Sequence, residues 1–377
     1  MRVKCQQEHL NRALSAVSRA VPSRSVLPIT QHILVEANDG HLKLSATDAE
    51  TIAITYTITA NVTQAGSITM PSRLLSDFVA TLPRDEIEMT LAERSRQVSL
   101  ACARNSASIG GMDPDEFPPI PSVEGAGAIE IEPERLREAL EHVVFAAATD
   151  DSRPVLTGVD FAIGPQGIRL AAADGFRLAV FQLDLAGAGQ EREVIVPARA
   201  LGELSRLLAE AQQPARMTVN AGQTQVLFDL GHATLIANLI QGTFPNYQQL
   251  IPASSATRTV VAVDGFKQET RLASIFARDG SGIVRLIATP GAAGATGRLL
   301  VTARAEEIGN NEGEIDAEVT GEEAKIAFNS RYLIEVLNVI SEPRVAIETS
   351  SPSAPGVLKP VGDDRYVHVV MPMFVQW

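Results

Sequence analysis

The chain has 377 residues, 45% hydrophobic and 20% charged, which is more than one ordinary core needs and enough for two or three domains of roughly 100–200 residues. No apolar run nears the roughly 20 residues of a membrane-crossing helix, and a formal net charge of -13 argues against a protein that binds nucleic acid through an overall basic surface. Cys5 and Cys102 show neither CxxC spacing nor a disulfide framework, and they read as buried, unpaired thiols in a reducing, cytoplasmic setting.

The N-terminus enters an amphipathic pattern without an export signal. Residues 8–20 bring Leu10, Leu14 and Val17 round at helical spacing. HILVEA at His32, HLKLSA at His41 and TIAITYTI at Thr51 are β-branched and partly alternating, with the turn residues Asn38, Asp39 and Gly40 between the first two. A second helix is read over 72–82. Pro71 ends the strand before it and is tolerated at a helix start, where the missing N–H costs nothing. Strands at 87–91 and 98–103 close the unit, and the proline- and small-residue-rich stretch 118–128 reads as a linker.

The pattern then begins again. Residues 27–54 return at 153–180 with a shift of 126, so that Asp48 pairs with Asp174, and Pro71 pairs with Pro197 at the same shift. Helices are read at 134–147 and 198–211, strands at 217–219, 226–230 and 234–238, and a linker at 250–257. A third copy is more degraded, with helices at 266–278 and 330–340. FNSRYLIEVL at Phe328 follows VPARALGELS at Val196, with Arg331 where Arg199 falls and Asn329 replacing the proline. Residues 288–297 lie inside a copy and read as a flexible surface loop rather than a third linker, and no phosphate cradle is expected there, since no lysine and hydroxyl residue follow in Walker spacing. The expectation is an α+β protein of three tandem copies, each with two helices laid on antiparallel sheet, over 1–124, 125–253 and 254–377.

The six helices carry a net +2 and the rest of the chain -15. If all six face one surface, that surface attracts phosphate weakly while the remainder repels it. Ordinary solvated helix faces with pairs such as Arg199 and Glu203 explain the same count, and charge alone does not decide.

Enzyme chemistry is hard to find. His9, His32, His41, His142, His232 and His368 form no HExxH or paired i,i+4 placement, so no metal site is expected, and no Walker, GxGxxG or GxSxG motif implies a cofactor or a nucleophile. Asp48 and Asp174 would be the carboxylates of a repeat-built hydrolase, but recurrence at equivalent places favours turn aspartates that accept backbone hydrogen bonds. DGFRLA at Asp174, GTFPNYQQLIP at Gly242 and YVHVVMPM at Tyr366 read either as an adaptable apolar pocket for a peptide or as core strands. A protein-binding scaffold that never meets DNA stays among the readings.

Taken together, LPIT at Leu27, MPSR at Met70, RPVLTGV at Arg153, ADGFRLA at Ala173, TFPNYQQLIP at Thr243, FNSRYLIEVL at Phe328 and VVMPM at Val369 resemble, in order and spacing, the bacterial DNA polymerase III β subunit, the sliding clamp family. The resemblance covers nearly the whole chain. It implies a head-to-tail homodimer of three clamp modules per subunit, closing a ring around duplex DNA of any sequence, with no enzymatic activity and no cofactor. It places Arg24 and Arg73, with the repeat partner Arg199, facing DNA. It implies a pocket of Leu156, Gly175, Arg177, Leu178, Pro245, Leu250, Val369, Val370, Met371, Pro372 and Met373 for peptides of the replicative polymerase, the clamp loader and other partners. It also implies a dimer interface at residues 104–109, from Arg104 to Ile109, with Ile275 and Phe276. The sequence departs from the family at Ala173, Phe176 and Gln249, where threonine, histidine or tyrosine, and a basic residue are usual. It ends in an apolar FVQW, whose Trp377 is expected to fold back near the pocket.

Overall fold

The computed structural model describes residues 1–123, 127–187, 191–278, 282–292, 296–305 and 309–377. Residue 124, where the first joint is expected, lies outside them, as do 125–126 of the expected linker and 293–295 of the expected loop.

Six α-helices form among the described residues: α1 (Gln7–Val17), α2 (Ser72–Thr81), α3 (Pro133–Val143), α4 (Ala198–Leu208), α5 (Val263–Ala277) and α6 (Ser330–Val339). Each exists because its apolar residues recur on one stripe. In α1 these are Leu10, Ala13, Leu14 and Val17, and in α4 Ala200, Leu201, Leu204, Leu207 and Leu208, all buried. α5 starts at Val263, before the expected 266, with Asp264 and Gly265 in its first turn. Asn329, which breaks the proline pattern of the third copy, caps α6: its side-chain oxygen accepts the Arg331 N–H at 2.9 Å.

A strand precedes the first helix of each copy, at Arg2–Gln6, Ile129–Ile131 and Thr257–Ala262, where the sequence pattern begins only with a helix. The first shows why: Val3 and Cys5 point inward and Arg2 and Gln6 outward over only five residues.

By contacts the chain divides into two compact units, Met1–Arg137 with Arg199–Gln241, and Glu138–Ala198 with Gly242–Trp377. They do not coincide with the three expected segments, because strands of the second segment belong to a sheet in each unit. In the first unit an eight-stranded sheet runs Ile129–Ile131, Ala215–Val219, Gln225–Asp229, Ala233–Asn238, Ile52–Thr59, His41–Thr47, His32–Asn38, Gly66–Pro71. The second copy meets the first where Leu235 pairs with Ile54. A five-stranded sheet runs Asn61–Gln64, Arg2–Gln6, Glu86–Ala92, Gln97–Cys102, Asn105–Gly110.

In the second unit one twelve-stranded sheet runs Arg192–Pro197, Gly158–Gly164, Gly167–Ala173, Arg177–Asp184, Tyr366–Val370, Gly356–Pro360, Arg344–Thr349, Thr257–Ala262, Gly309–Gly321, Gly297–Ala305, Ile283–Thr289, Ala324–Asn329. Here the second copy meets the third through antiparallel pairs such as Leu178 with Val369. Phe161, Phe181, Phe266, Phe328 and Tyr366 are fully buried in this unit. No helix among the described residues is long and apolar enough to cross a membrane.

Candidate functional site

Asp48 and Asp174 do what a turn aspartate does. The Asp48 Oδ1 accepts the N–H groups of Glu50, Thr51 and Ile52 at 2.8–3.1 Å, and the Asp174 Oδ1 those of Phe176 and Arg177 at 2.8 and 3.0 Å. The next residue has left-handed backbone in both copies, Ala49 at φ 65° and Gly175 at φ 91°. Each second carboxylate oxygen binds an arginine at 3.0 Å, Arg199 for Asp48 and Arg177 for Asp174. Both carboxylates are thus occupied as acceptors, which leaves neither free as a catalytic base. Among the described residues no group of three or more His, Cys, Asp or Glu could hold a metal. Cys5 and Cys102 are buried and unpaired, and burial, with Glu86 nearby, pushes the Cys5 thiol up to about 12.

All eleven pocket residues implied by the resemblance fall in the second compact unit. The Tyr366–Val370 strand pairs with Arg177–Asp184 in the register Arg177 with Val370, which sets the DGF turn beside the MPM sequence. Past the strand, the Met371 N–H donates to the Phe176 carbonyl at 2.8 Å and the Met373 N–H to that of Ala327 at 2.7 Å. The tail is thus pinned between a turn of the second copy and a strand of the third.

Burial sorts these residues into a floor and a rim. Leu156, Arg177, Leu178, Val369 and Val370 are buried, whereas Gly175, Pro245, Leu250 and Met371 are exposed, and Pro372 and Met373 are half-buried. Phe176 is 59% exposed and Phe374 90%, two phenyl rings offered to solvent, as Met371 and Leu250 are. Trp377, at the end of the tail, is half-exposed.

Arg177 is the floor's most constrained side chain. Only 4% exposed, its head group binds Asp174 Oδ2, Glu335, and the Phe145 carbonyl at 2.6 Å, and it lies 4.6 Å from the Tyr332 ring centroid and 5.3 Å from that of Phe145. With its donors engaged, this guanidinium fixes the floor and is not offered to a ligand. Beneath it His368 is fully buried and stacked on Phe145, and burial together with the Arg177 charge pushes its imidazole down to about 3. Phe145, Tyr332 and Glu335 are absent from the sequence reading of the pocket. The one sequence signal for them is the i,i+4 pair of Arg331 and Glu335, joined at 2.8 Å.

The residues implied to face DNA lie in the first unit. Arg24 is exposed in the stretch before the Pro28–Gln31 turn, and the Arg73 side chain is 97% exposed on α2, 3.8 Å from Asp77. Arg199 is half-exposed and shares its charge with Asp48 rather than with Glu203, which instead pairs with Arg206 and Arg19.

Of the implied interface, Arg104 is exposed, but Ile109 is 4% exposed and turned into its own unit, because it lies on the inward face of the Asn105–Gly110 strand, paired with buried Val98. That strand is an edge of its sheet. Ile275 is exposed on α5 and Phe276 is half-buried.

The model of the DNA polymerase III beta subunit, N-terminal domain, matches residues 1–121, the central domain 130–246 and the C-terminal domain 248–374. A beta sliding clamp of Synechococcus elongatus is 33% identical over 376 residues, covering 99% of each chain, and one of Staphylococcus aureus is 28% identical over 382 residues with the same coverage. Among solved structures, a DNA polymerase sliding clamp from Bacillus subtilis superposes with a TM-score of 0.91 at 27% identity, and the DNA polymerase III subunit beta from Pseudomonas aeruginosa with 0.90 at 26%, each covering 100% of both chains. With three successive domains matched in order and relatives aligned from end to end, the chain belongs to the DNA polymerase III beta subunit family, the beta sliding clamps.

Proposed function

We propose that two copies of this chain, each of three modules over 1–124, 125–253 and 254–377, close head to tail around duplex DNA in the cytoplasm. The ring is a processivity factor with no chemistry of its own. It tethers the replicative polymerase, and in turn the clamp loader and other partners, by peptides seated on the floor of Leu156, Leu178, Val369 and Val370. The end-to-end match to sliding clamps carries this reading. The exposed rim of Phe176, Leu250, Met371 and Phe374 supports it, since large apolar side chains left open at the surface mark a docking site.

A ring needs little grip. Arg24 and Arg73 are the exposed cations that meet phosphate, and Arg199, half neutralised by Asp48, meets it more weakly. The subunits join through Arg104 and the open backbone of the Asn105–Gly110 edge, against Ile275 and Phe276 of the other copy. Ile109 contributes from behind, as core.

Retention on DNA tests the reading. Loaded onto nicked circular DNA by a clamp loader with ATP, the protein is expected to stay through a salt wash and to leave once the circle is linearised. Release by salt with no effect of linearisation would sink it.

A further inference from the structure

Pro245 and Leu250 belong to a segment with little regular structure, a single turn at Gln248–Leu250, and what fixes it lies underneath. Phe244, just before Pro245, and Tyr247, between Pro245 and Leu250, are buried, their rings edge to face at 6.1 Å. The Tyr247 hydroxyl accepts a hydrogen bond from Arg169 Nε at 3.1 Å. Ala162 pairs with Arg169 on one side and with Glu193 on the other, so these three, with Asp160 two residues along, share one face of the sheet. Asp160 is 2% exposed, and its Oδ1 has no hydrogen-bond partner.

We propose that Arg169 is a positioning residue for the peptide pocket, holding Tyr247, and with it the wall that bears Pro245 and Leu250, under the control of the Asp160 and Glu193 carboxyl pair. The proposal rests on the peptide-pocket reading above. The titratable and charged groups facing Asp160 are Glu193 from one neighbouring strand, Arg169 from the other and Tyr247 from the covering segment. Burial, then the charge and hydrogen bond of Glu193, push the Asp160 carboxyl up to about 7, against the opposing pull of Arg169. While that proton is in place the Asp160 carboxyl makes no charged claim on the guanidinium, and Arg169 serves the tyrosine. When the proton leaves, two carboxylates compete for one guanidinium, and the donation to Tyr247 weakens. A raised carboxyl is protonated below its folded pKa, so the pocket is at its firmest in mild acid and loosens as pH rises through about 7.

The test measures binding of a fluorescein-labelled synthetic peptide with adjacent leucine and phenylalanine to the full chain from pH 6 to pH 8. Wild type is expected to weaken by about threefold to tenfold over this range, on the scale of one ordinary hydrogen bond, since the donation to Tyr247 is weakened rather than abolished. Asp160→Asn is expected to bind tightly at both ends, and Tyr247→Phe and Arg169→Met weakly at both. The proposal falls if Asp160→Asn keeps the wild-type pH profile, or if Tyr247→Phe binds as wild type at pH 6. Tyr247→Phe removes one oxygen, so it decides even if Arg169→Met does not fold. Leu250→Glu separates the two readings. Full binding by that variant overturns the pocket itself, whereas its loss of binding beside an unchanged Tyr247→Phe overturns only the positioning role.

Discussion

Ala49 and Gly175 occupy the same place in two copies of a repeat, and only one suits its backbone. A left-handed conformation costs an L-residue about 1–2 kcal/mol and costs glycine almost nothing. Ala49→Gly is therefore expected to stabilise the protein by about 0.5–1 kcal/mol, seen as a higher midpoint of urea unfolding. Gly175→Ala is expected to cost about 1 kcal/mol or more, since φ 91° is a backbone conformation that a Cβ disfavours. Equal midpoints for either variant and wild type would refute the argument. At this scale the sequence discloses residue type better than role. Asp174 is legible as a turn aspartate because its acceptors' donors lie two and three residues on. Arg177 is marked by the resemblance as a residue of the proposed pocket, but its sealed guanidinium is not legible, because its partner Glu335 is 158 residues away and no local pattern joins them.

Helices are the most legible elements, because their apolar stripes recur over ten or more residues. α4 is the clearest: Leu204 is fully buried among four other inward positions, and Leu204→Ala is expected to cost about 2–5 kcal/mol in the same unfolding measurement. A loss below about 1 kcal/mol would mean that α4 is not held by its apolar face. Short strands leave a fainter trace. The Ile129–Ile131 strand has three residues, too few for alternation to register. The Gly309–Gly321 strand hides for the opposite reason, as its alternating asparagine, glutamate and aspartate residues resemble a solvated loop until the register with Gly297–Ala305 is known.

For the whole molecule, self-association is the property most exposed to a single change. Leu272 and Ile275 stand three residues apart on the outer side of α5, both exposed in one copy of the chain. Ile275→Asp places a charge at the proposed contact and is expected to shift the sedimentation of the protein to that of a single chain. Unchanged dimer mass for this variant would move the interface elsewhere. Neither this contact nor the division into two compact units follows from the repeat, because periodicity marks where a pattern restarts and not where a sheet stops.

The ladders that join Ile52–Thr59 to Ala233–Asn238, and Arg177–Asp184 to Tyr366–Val370, make each copy a unit of ancestry without making it a unit of exchange. A second copy lifted out of the chain would bring two raw sheet borders with it, whose unpaired amides and carbonyls would seek any strand on offer, including those of its own kind. Grafts between relatives should therefore respect the ladders, trading both strands of a joint together, and the linkers, though easiest to cut, are the wrong place to begin.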